Sequence, residues 1–240
     1  MQNNEVSILK EKLKLNCTKQ IQTKLKCFSE IFKIYNSHTN LISKNDEKFL
    51  FEKHIYDSLA FNLFIEKYGF ENKHLKLLDI GAGGGFPSIP IAIFYKNISV
   101  YPLDSIAKKV GFIELAQKEL MLENLFPICE RVENLSPDNK GNFDIIVSRA
   151  VAPLNIIMEY ALPYVKNGGF FIAYKAKNSS SEIEQANNAL KILKSEIIDK
   201  INYELPLDEN FVRELIVIKK HETVSSVYPR KASQIKRNPL

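Results

Sequence analysis

The sequence predicts an α/β fold, a mostly parallel sheet with helices on both faces behind a small helical extension, and three observations predict it. From Leu75 onward, short apolar runs alternate with helical stretches, the pattern of strands joined by crossover helices. The first of those runs ends in a glycine-rich turn, Gly81-Ala82-Gly83-Gly84-Gly85, just before a helix. Upstream, Ile21, Leu25, Phe28, Phe32 and Tyr35 recur at steps of three and four, so they line one buried helix face. The expected division is a helical extension over residues 1–70 and an α/β domain over 71–240 with a basic C-terminal tail.

The elements follow in order. Met1 to Lys12 is polar and charged, with no apolar stretch before a small-residue cleavage site, so no secretory signal is expected. Asn36 to Asn45, rich in Asn and Ser, is expected to break the striped helix, and Phe49 to Leu63 to form another with acidic residues in its first turn. Strands are expected at Leu77–Ile80, Ser99–Leu103, Asp144–Val147 and Gly169–Tyr174, and helices near Ile89–Tyr95, Ala107–Leu122 and Leu154–Tyr164. Ile201–Leu205 and Arg213–Lys219 read as an antiparallel pair, joined by a polar turn at Asp208, Glu209 and Asn210.

With 240 residues, 45% hydrophobic and 25% charged, the chain can bury one sizeable core and a small appendage. No run reaches the about 18 apolar residues of a membrane span, so a soluble, cytoplasmic protein is expected. Cys17, Cys27 and Cys129 form no C-x-x-C pair and have no histidine at ligand spacing; they read as buried thiols in a reducing compartment, with no metal. The net charge of +5 is local, because residues 219–240 carry Lys219, Lys220, Arg230, Lys231, Lys236 and Arg237 against Glu222 alone. This segment, with Tyr228, Pro229 and Pro239, either follows a phosphate backbone or only solubilises the chain.

In Leu77-Leu78-Asp79-Ile80-Gly81-Ala82-Gly83-Gly84-Gly85-Phe86-Pro87 an apolar strand runs into glycines and then a helix. Glycine lets backbone approach a ligand closely, and in a parallel sheet this loop lies at the carboxyl ends of the strands, where ligands bind. The dinucleotide fingerprint G-x-G-x-x-G fails, because Phe86 occupies its last position. Asp79 followed by Gly81, Gly83 and Gly85 at alternate positions is instead the methyltransferase variant, which holds the methionine part and ribose of S-adenosylmethionine. Asp104, 19 residues after Gly85, ends the next strand and is the expected acceptor for both ribose hydroxyls; it is equally suited to cap the following helix. A Rossmann-like, class I methyltransferase fold is therefore expected.

The segment Val147-Ser148-Arg149-Ala150-Val151-Ala152-Pro153 lacks the Asp/Asn-Pro-Pro-aromatic signature of exocyclic-amine methylation. Carbon-5 pyrimidine methylation needs a cysteine nucleophile, and Cys129 is poorly placed for it. A ring nitrogen such as guanine N7 already offers an in-plane lone pair, so orientation and fixed electrostatics suffice without a base. Arg149, at a buried strand end, needs a partner; a cofactor carboxylate, a phosphate, guanine O6 or a neighbouring acid each qualifies.

Further motifs are Tyr35-Asn36, Asn40-Leu41, His54-Ile55-Tyr56-Asp57-Ser58, Leu103-Asp104-Ser105, Lys108-Lys109-Val110-Gly111-Phe112, Arg131-Val132-Glu133, Tyr228-Pro229-Arg230-Lys231 and Asn238-Pro239-Leu240. With the glycine loop and Ile146 to Ala150, they make the chain resemble, over almost its whole length, the bacterial 16S ribosomal RNA guanine-N7 methyltransferase family (RsmG, or glucose-inhibited division protein B, GidB). That resemblance implies a mostly parallel seven-stranded sheet, cofactor contacts at Gly81, Phe86 and Arg149, and contacts beside the adenine at Val132 and Glu133. It also implies a guanine of small-subunit RNA as substrate, with Arg149 as the candidate catalytic residue. His54, Asp57 and Ser58 resemble a motif facing the cofactor crevice, or else form a hydrogen-bonded helix surface. Ser88 and Ala176 depart from the family, which usually has glycine at both places.

The competing expectations are a methyltransferase for a small molecule or protein, since fold does not name the acceptor, and an RNA-binding regulator that senses the cofactor. The expected partner is 16S ribosomal RNA or the small ribosomal subunit, with no membrane and no metal, and the expected form is a monomer.

Overall fold

The computed structural model describes residues 3–177, 179–207 and 211–240, so the turn expected at Asp208, Glu209 and Asn210 lies outside the described residues. Ahead of the sheet come α1 (Asn3–Leu13), α2 (Lys19–Thr39), α3 (Lys44–Glu47), a π-helical turn (Phe51–Tyr56), α4 (Asp57–Leu59) and α5 (Phe61–Tyr68). Helix α1 forms within the stretch that reads as merely polar, because it buries only Leu9 and Leu13, too sparse a stripe to show as periodicity. Thr18 caps α2 by accepting the Ile21 N–H at 3.3 Å. The helix ends inside the expected break but runs on to Thr39, because Asn36 turns inward, 3% exposed, donating to Glu47 and accepting from the Ile42 N–H at 3.0 Å. Its end is Asn40, in the left-handed conformation that asparagine tolerates.

Seven strands follow: β1 (Leu75–Ile80), β2 (Ile98–Asp104), β3 (Ile128–Cys129), β4 (Phe143–Arg149), β5 (Val165–Ala176), β6 (Ser195–Glu204) and β7 (Val212–Lys220). Between and after them lie α6 (Ser88–Phe94), α7 (Ala107–Glu119), α8 (Leu154–Ala161), α9 (Ser180–Gln185), α10 (Asn187–Ile192) and α11 (Ala232–Arg237). The sheet order is β3-β2-β1-β4-β5-β7-β6, parallel except for β7, which runs antiparallel to β5 and β6. Strand order reverses between β1 and β4, the switch point where open α/β sheets bind ligands. The sequence offers no signal for β3, only two residues long.

Alternation along the strands divides the interior in two. Leu77, Val100, Ile145, Ile172 and Val217 face a core shared with α1, α2, α5 and α6, while Leu78, Leu103, Ile146, Phe171 and Ile216 face α8 and α10. The amino-terminal helices thus pack onto one sheet face, with Phe28, Phe32, Phe61 and Phe64 fully buried. The cysteines are less uniform than expected: Cys17 is buried, Cys27 half-buried and Cys129 exposed at the short β3 edge. No described helix is long and apolar enough to cross a membrane, and no described group of three or more His, Cys, Asp or Glu side chains is placed to hold a metal ion.

Candidate active site

Strand register builds the site. Ile80 of β1 is level with Leu103 of β2 on one side and with Ser148 of β4 on the other. The next residues, Gly81, Asp104 and Arg149, therefore leave the sheet side by side. Gly81 and Ala82 both donate to the Leu103 carbonyl, at 2.8 and 3.0 Å, which folds the glycine loop back over the β2 end. Asp104 is 7% exposed; one carboxylate oxygen accepts the Gly83 N–H at 2.9 Å and the other the Ile106 N–H at 3.0 Å. Asp104 thus faces the loop, but it does not cap α7 as expected: the cap position is Ile106, which no side chain caps, and Asp104 instead holds the Ile106 N–H one residue ahead of the helix.

The glycines serve different ends. Gly83, at φ +56°, would carry a Cβ with no neighbour closer than the Gly81 carbonyl oxygen at 3.8 Å. At Gly81 a Cβ would overlap Val151, at Gly85 it would overlap Ile89, and at Gly84 it would lie 2.9 Å from the Phe32 ring. Only at Gly83 does the missing side chain leave open space for a ligand; the other three admit protein. Phe86 closes the loop beneath, its ring centroid 5.4 Å from Phe28, 5.3 Å from Phe32 and 5.1 Å from His54.

The amino-terminal helices also hold Arg149. Its Nη1 donates to the Lys53 carbonyl at 3.0 Å and to the Asp57 carboxylate at 2.8 Å, its Nη2 meets His54 Nδ1 at 3.0 Å, and the guanidinium lies 5.4 Å from the Phe86 centroid. Of the partners open to Arg149, the neighbouring acid is present, and it is Asp57. Lys53 and His54 lie on the π-helical turn and Asp57 directly follows it, so one widened turn aims three acceptors at one cation. Asp57 is anchored in turn by the Tyr203 hydroxyl at 2.6 Å. Burial and Arg149 push His54 down to about 3; the ring is neutral, and because Nδ1 accepts from arginine, Nε2 carries the hydrogen. Ser58 is fully buried and donates to the His54 carbonyl, so it supports the turn instead of facing the crevice.

A cavity of about 660 Å³ opens above these residues. Gly81, Gly83, Phe86 and Arg149 line it, as do His54 and Asp57, whereas Gly85, Asp104, Val132 and Glu133 do not. Val132 and Glu133 lie just past β3, which pairs with β2 at Asp104↔Cys129; Val132 is buried and Glu133 sits 3.9 Å from Arg131. Tyr174, Lys175, Glu182 and Arg213 also line the cavity, and no motif announces them. Their one cue is position, since Tyr174 and Lys175 lie near the β5 carboxyl end. Lys175 donates to Glu182 at 2.6 Å and to the Ala152 carbonyl at 2.9 Å, and Glu182 accepts the Leu154 N–H at 2.8 Å. That pair pins the segment after Arg149, where Ala150 adopts φ +56° and Val151 packs over Gly81.

Two buried atoms at this end of the sheet lack a partner, His54 Nε2 and one oxygen of Asp79. Asp79 is fully buried, and burial pushes it up to about 7 against the opposing pull of the Ser88 hydroxyl, 2.5 Å away, and of Arg149. Ser88 thus makes a hydrogen bond to the acid that opens the loop. The open face at Gly83, the carboxylate of Asp104 behind it and the uncommitted Nε2 of His54, a residue that lines the cavity, suit a nucleoside with an amino-acid arm.

This sheet order, with a glycine loop at the switch point and an acid ending the neighbouring strand, defines a class I S-adenosylmethionine-dependent methyltransferase. Solved structures agree in fold: M. jannaschii TYW2 in complex with AdoMet matches at TM-score 0.51 and 19% identity over 67% of this chain and 76% of that one. Precorrin-6y C5,15-methyltransferase from Geobacter metallireducens matches at TM-score 0.50 and 16% identity over 68% of this chain and 88% of that one. The model of the GidB family, rRNA small subunit methyltransferase G, matches residues 21–204. Ribosomal RNA small subunit methyltransferase G of Streptococcus pyogenes serotype M3 is 40% identical over 220 residues, 89% of this chain and 90% of the relative. The protein of that name from Staphylococcus saprophyticus is 34% identical over 91% of this chain and 90% of its own. The chain belongs to the rRNA small subunit methyltransferase G family, and its methyl donor is S-adenosylmethionine.

Proposed function

We propose that this protein methylates N7 of a guanine in 16S ribosomal RNA, working in the cytoplasm as a monomer on the RNA or the small subunit. The observation that carries this reading is a site prepared for alignment and not for proton removal. His54 is neutral with its Nδ1 lone pair turned to Arg149, and Asp57 is committed to Arg149 and Tyr203. Guanine N7 needs no base, because its lone pair is free before the reaction. S-adenosylmethionine, when bound, supplies an electrophilic methyl group on a sulfonium. The loop of Gly81, Gly83, Gly85 and Phe86 would hold it, with Asp104 as the residue that would accept the ribose hydroxyls and Val132 and Glu133 as those that would lie beside the adenine. Arg149, fixed in direction by its three acceptors, orients the donor carboxylate or guanine O6. Residues 1–70 form the helical extension that supplies those acceptors, and 71–240 the methyltransferase domain. The names and extents of the relatives support the RNA substrate. Labelled S-adenosylmethionine incubated with 16S RNA, or with small subunits from a strain lacking the enzyme, should place label in 7-methylguanine; its absence there rejects the proposal.

A further inference from the structure

Beside the cavity lies a cluster whose side chains the site above does not use. Phe49, just ahead of the π-helical turn, is 40% exposed, and Phe211, ahead of β7, is half-buried. Between them stands Lys53, its Nζ 4.9 Å from the Phe49 centroid and 6.0 Å from that of Phe211. Asp46 fixes the ammonium at 3.0 Å. The same lysine lines the cavity, and its carbonyl holds Arg149. Phe49 therefore keeps much of its ring open to solvent beside a fixed cation, while Phe211 packs its inner side against the core. Lys48 and Lys44 are exposed nearby on the chain, and Arg213 lines the same cavity from β7.

The geometry points to a base-stacking platform made of Phe49, Lys53 and Phe211, which receives an unpaired RNA base next to the one entering the cavity. The inference rests on the RNA substrate proposed above. A nucleotide joins the two properties this cluster offers to match: a flat π-face for the rings, and a phosphate for the cations around them. Because the Lys53 backbone is hydrogen-bonded to Arg149, a base seated there is registered against the reaction centre. The platform would therefore help select which guanine in a single-stranded segment reaches the donor, without touching that guanine.

The chain contains no tryptophan, so Phe49→Trp introduces a single tryptophan beside the cavity that can be excited selectively over the tyrosines. A guanosine-containing single-stranded oligoribonucleotide should quench its emission, and the same oligonucleotide annealed to its complement should quench it far less. Phe49→Ala and Phe211→Ala should each raise KM for 16S RNA roughly tenfold, the order expected for one lost stacked base. In both variants kcat and the calorimetric affinity for S-adenosylmethionine should stay near wild type; the thermal midpoint should hold in Phe49→Ala and fall in Phe211→Ala, whose ring also packs against the core, and Phe49→Tyr should restore KM. Absence of quenching, or an unchanged KM in both alanine variants, overturns the platform. Wild-type protein that forms no 7-methylguanine in RNA would instead overturn the substrate reading, so the two failures are distinguishable.

Discussion

Arg149 and Asp57, 92 residues apart in the chain, meet with Nη1 2.8 Å from Oδ2, and their side chains are 16% and 6% exposed. A shielded pair of this kind is costly to break from one side only, because the remaining charge keeps its desolvation and loses its partner. Asp57→Asn should therefore cost about 3 kcal/mol of stability, measured by urea denaturation. Arg149 would also lose its fixed direction, and methyl transfer should fall on the order of 100-fold. Arg149→Lys should be nearly as inactive, since one ammonium cannot face Lys53, His54 and Asp57 in a planar fork. Full activity in either variant would remove the clamp from the mechanism.

The glycine loop separates two kinds of substitution. In Gly83→Ala the Cβ points into open space, so the fold should lose only the about 1 kcal/mol that a left-handed alanine costs, while calorimetric affinity for S-adenosylmethionine falls at least about tenfold. In Gly85→Ala the Cβ meets Ile89, which is fully buried, and melting should drop by about 2–3 kcal/mol through overpacking. Equal losses of stability in the two variants would contradict this division.

Backbone necessity made some of this site legible from the sequence alone. Gly83 and Asp104 stand where a ligand-holding turn and its neighbouring strand end must be, and Arg149 was conspicuous because a buried strand end is an expensive place for a cation. What holds Arg149 was not legible. A π-helical turn has no residue pattern of its own, so Phe49 to Leu63 reads as one regular helix, and Tyr203 reaches Asp57 across 146 residues. Lys175 and Glu182 were hidden for a similar reason: their role is to hold the backbone at Ala152 and Leu154, and backbone atoms carry no sequence signal.

Asp79 gives a pH dependence with a definite sign. Burial pushes its carboxyl up to about 7, from 3.8 in an exposed chain. Between those values the folded protein keeps a proton that the unfolded chain has released, so stability declines as pH rises across that window and levels off above it. Asp79→Asn, which cannot ionise, should flatten this part of the stability profile in urea titrations at pH 5, 6, 7 and 8. A slope equal to wild type would locate the dependence elsewhere.

Five of the six carboxyl-terminal cations divide into two sets with separable effects. Lys220 is 2% exposed and donates to the Val165 carbonyl, and Arg230 grips the fully buried Glu159 through Nε at 2.7 Å and Nη2 at 2.6 Å. Neither is placed to meet a phosphate. Lys231, Lys236 and Arg237 are exposed around α11, which docks on the protein through the buried Ile235. Arg230→Met should thus cost about 3 kcal/mol by stranding Glu159, with little change in the salt dependence of RNA binding. Replacing Lys231, Lys236 and Arg237 together by alanine should leave melting unaltered and lower the slope of log affinity against log salt by up to about 3. If the triple variant binds 16S RNA with the wild-type slope, the exposed end of the tail only solubilises the chain.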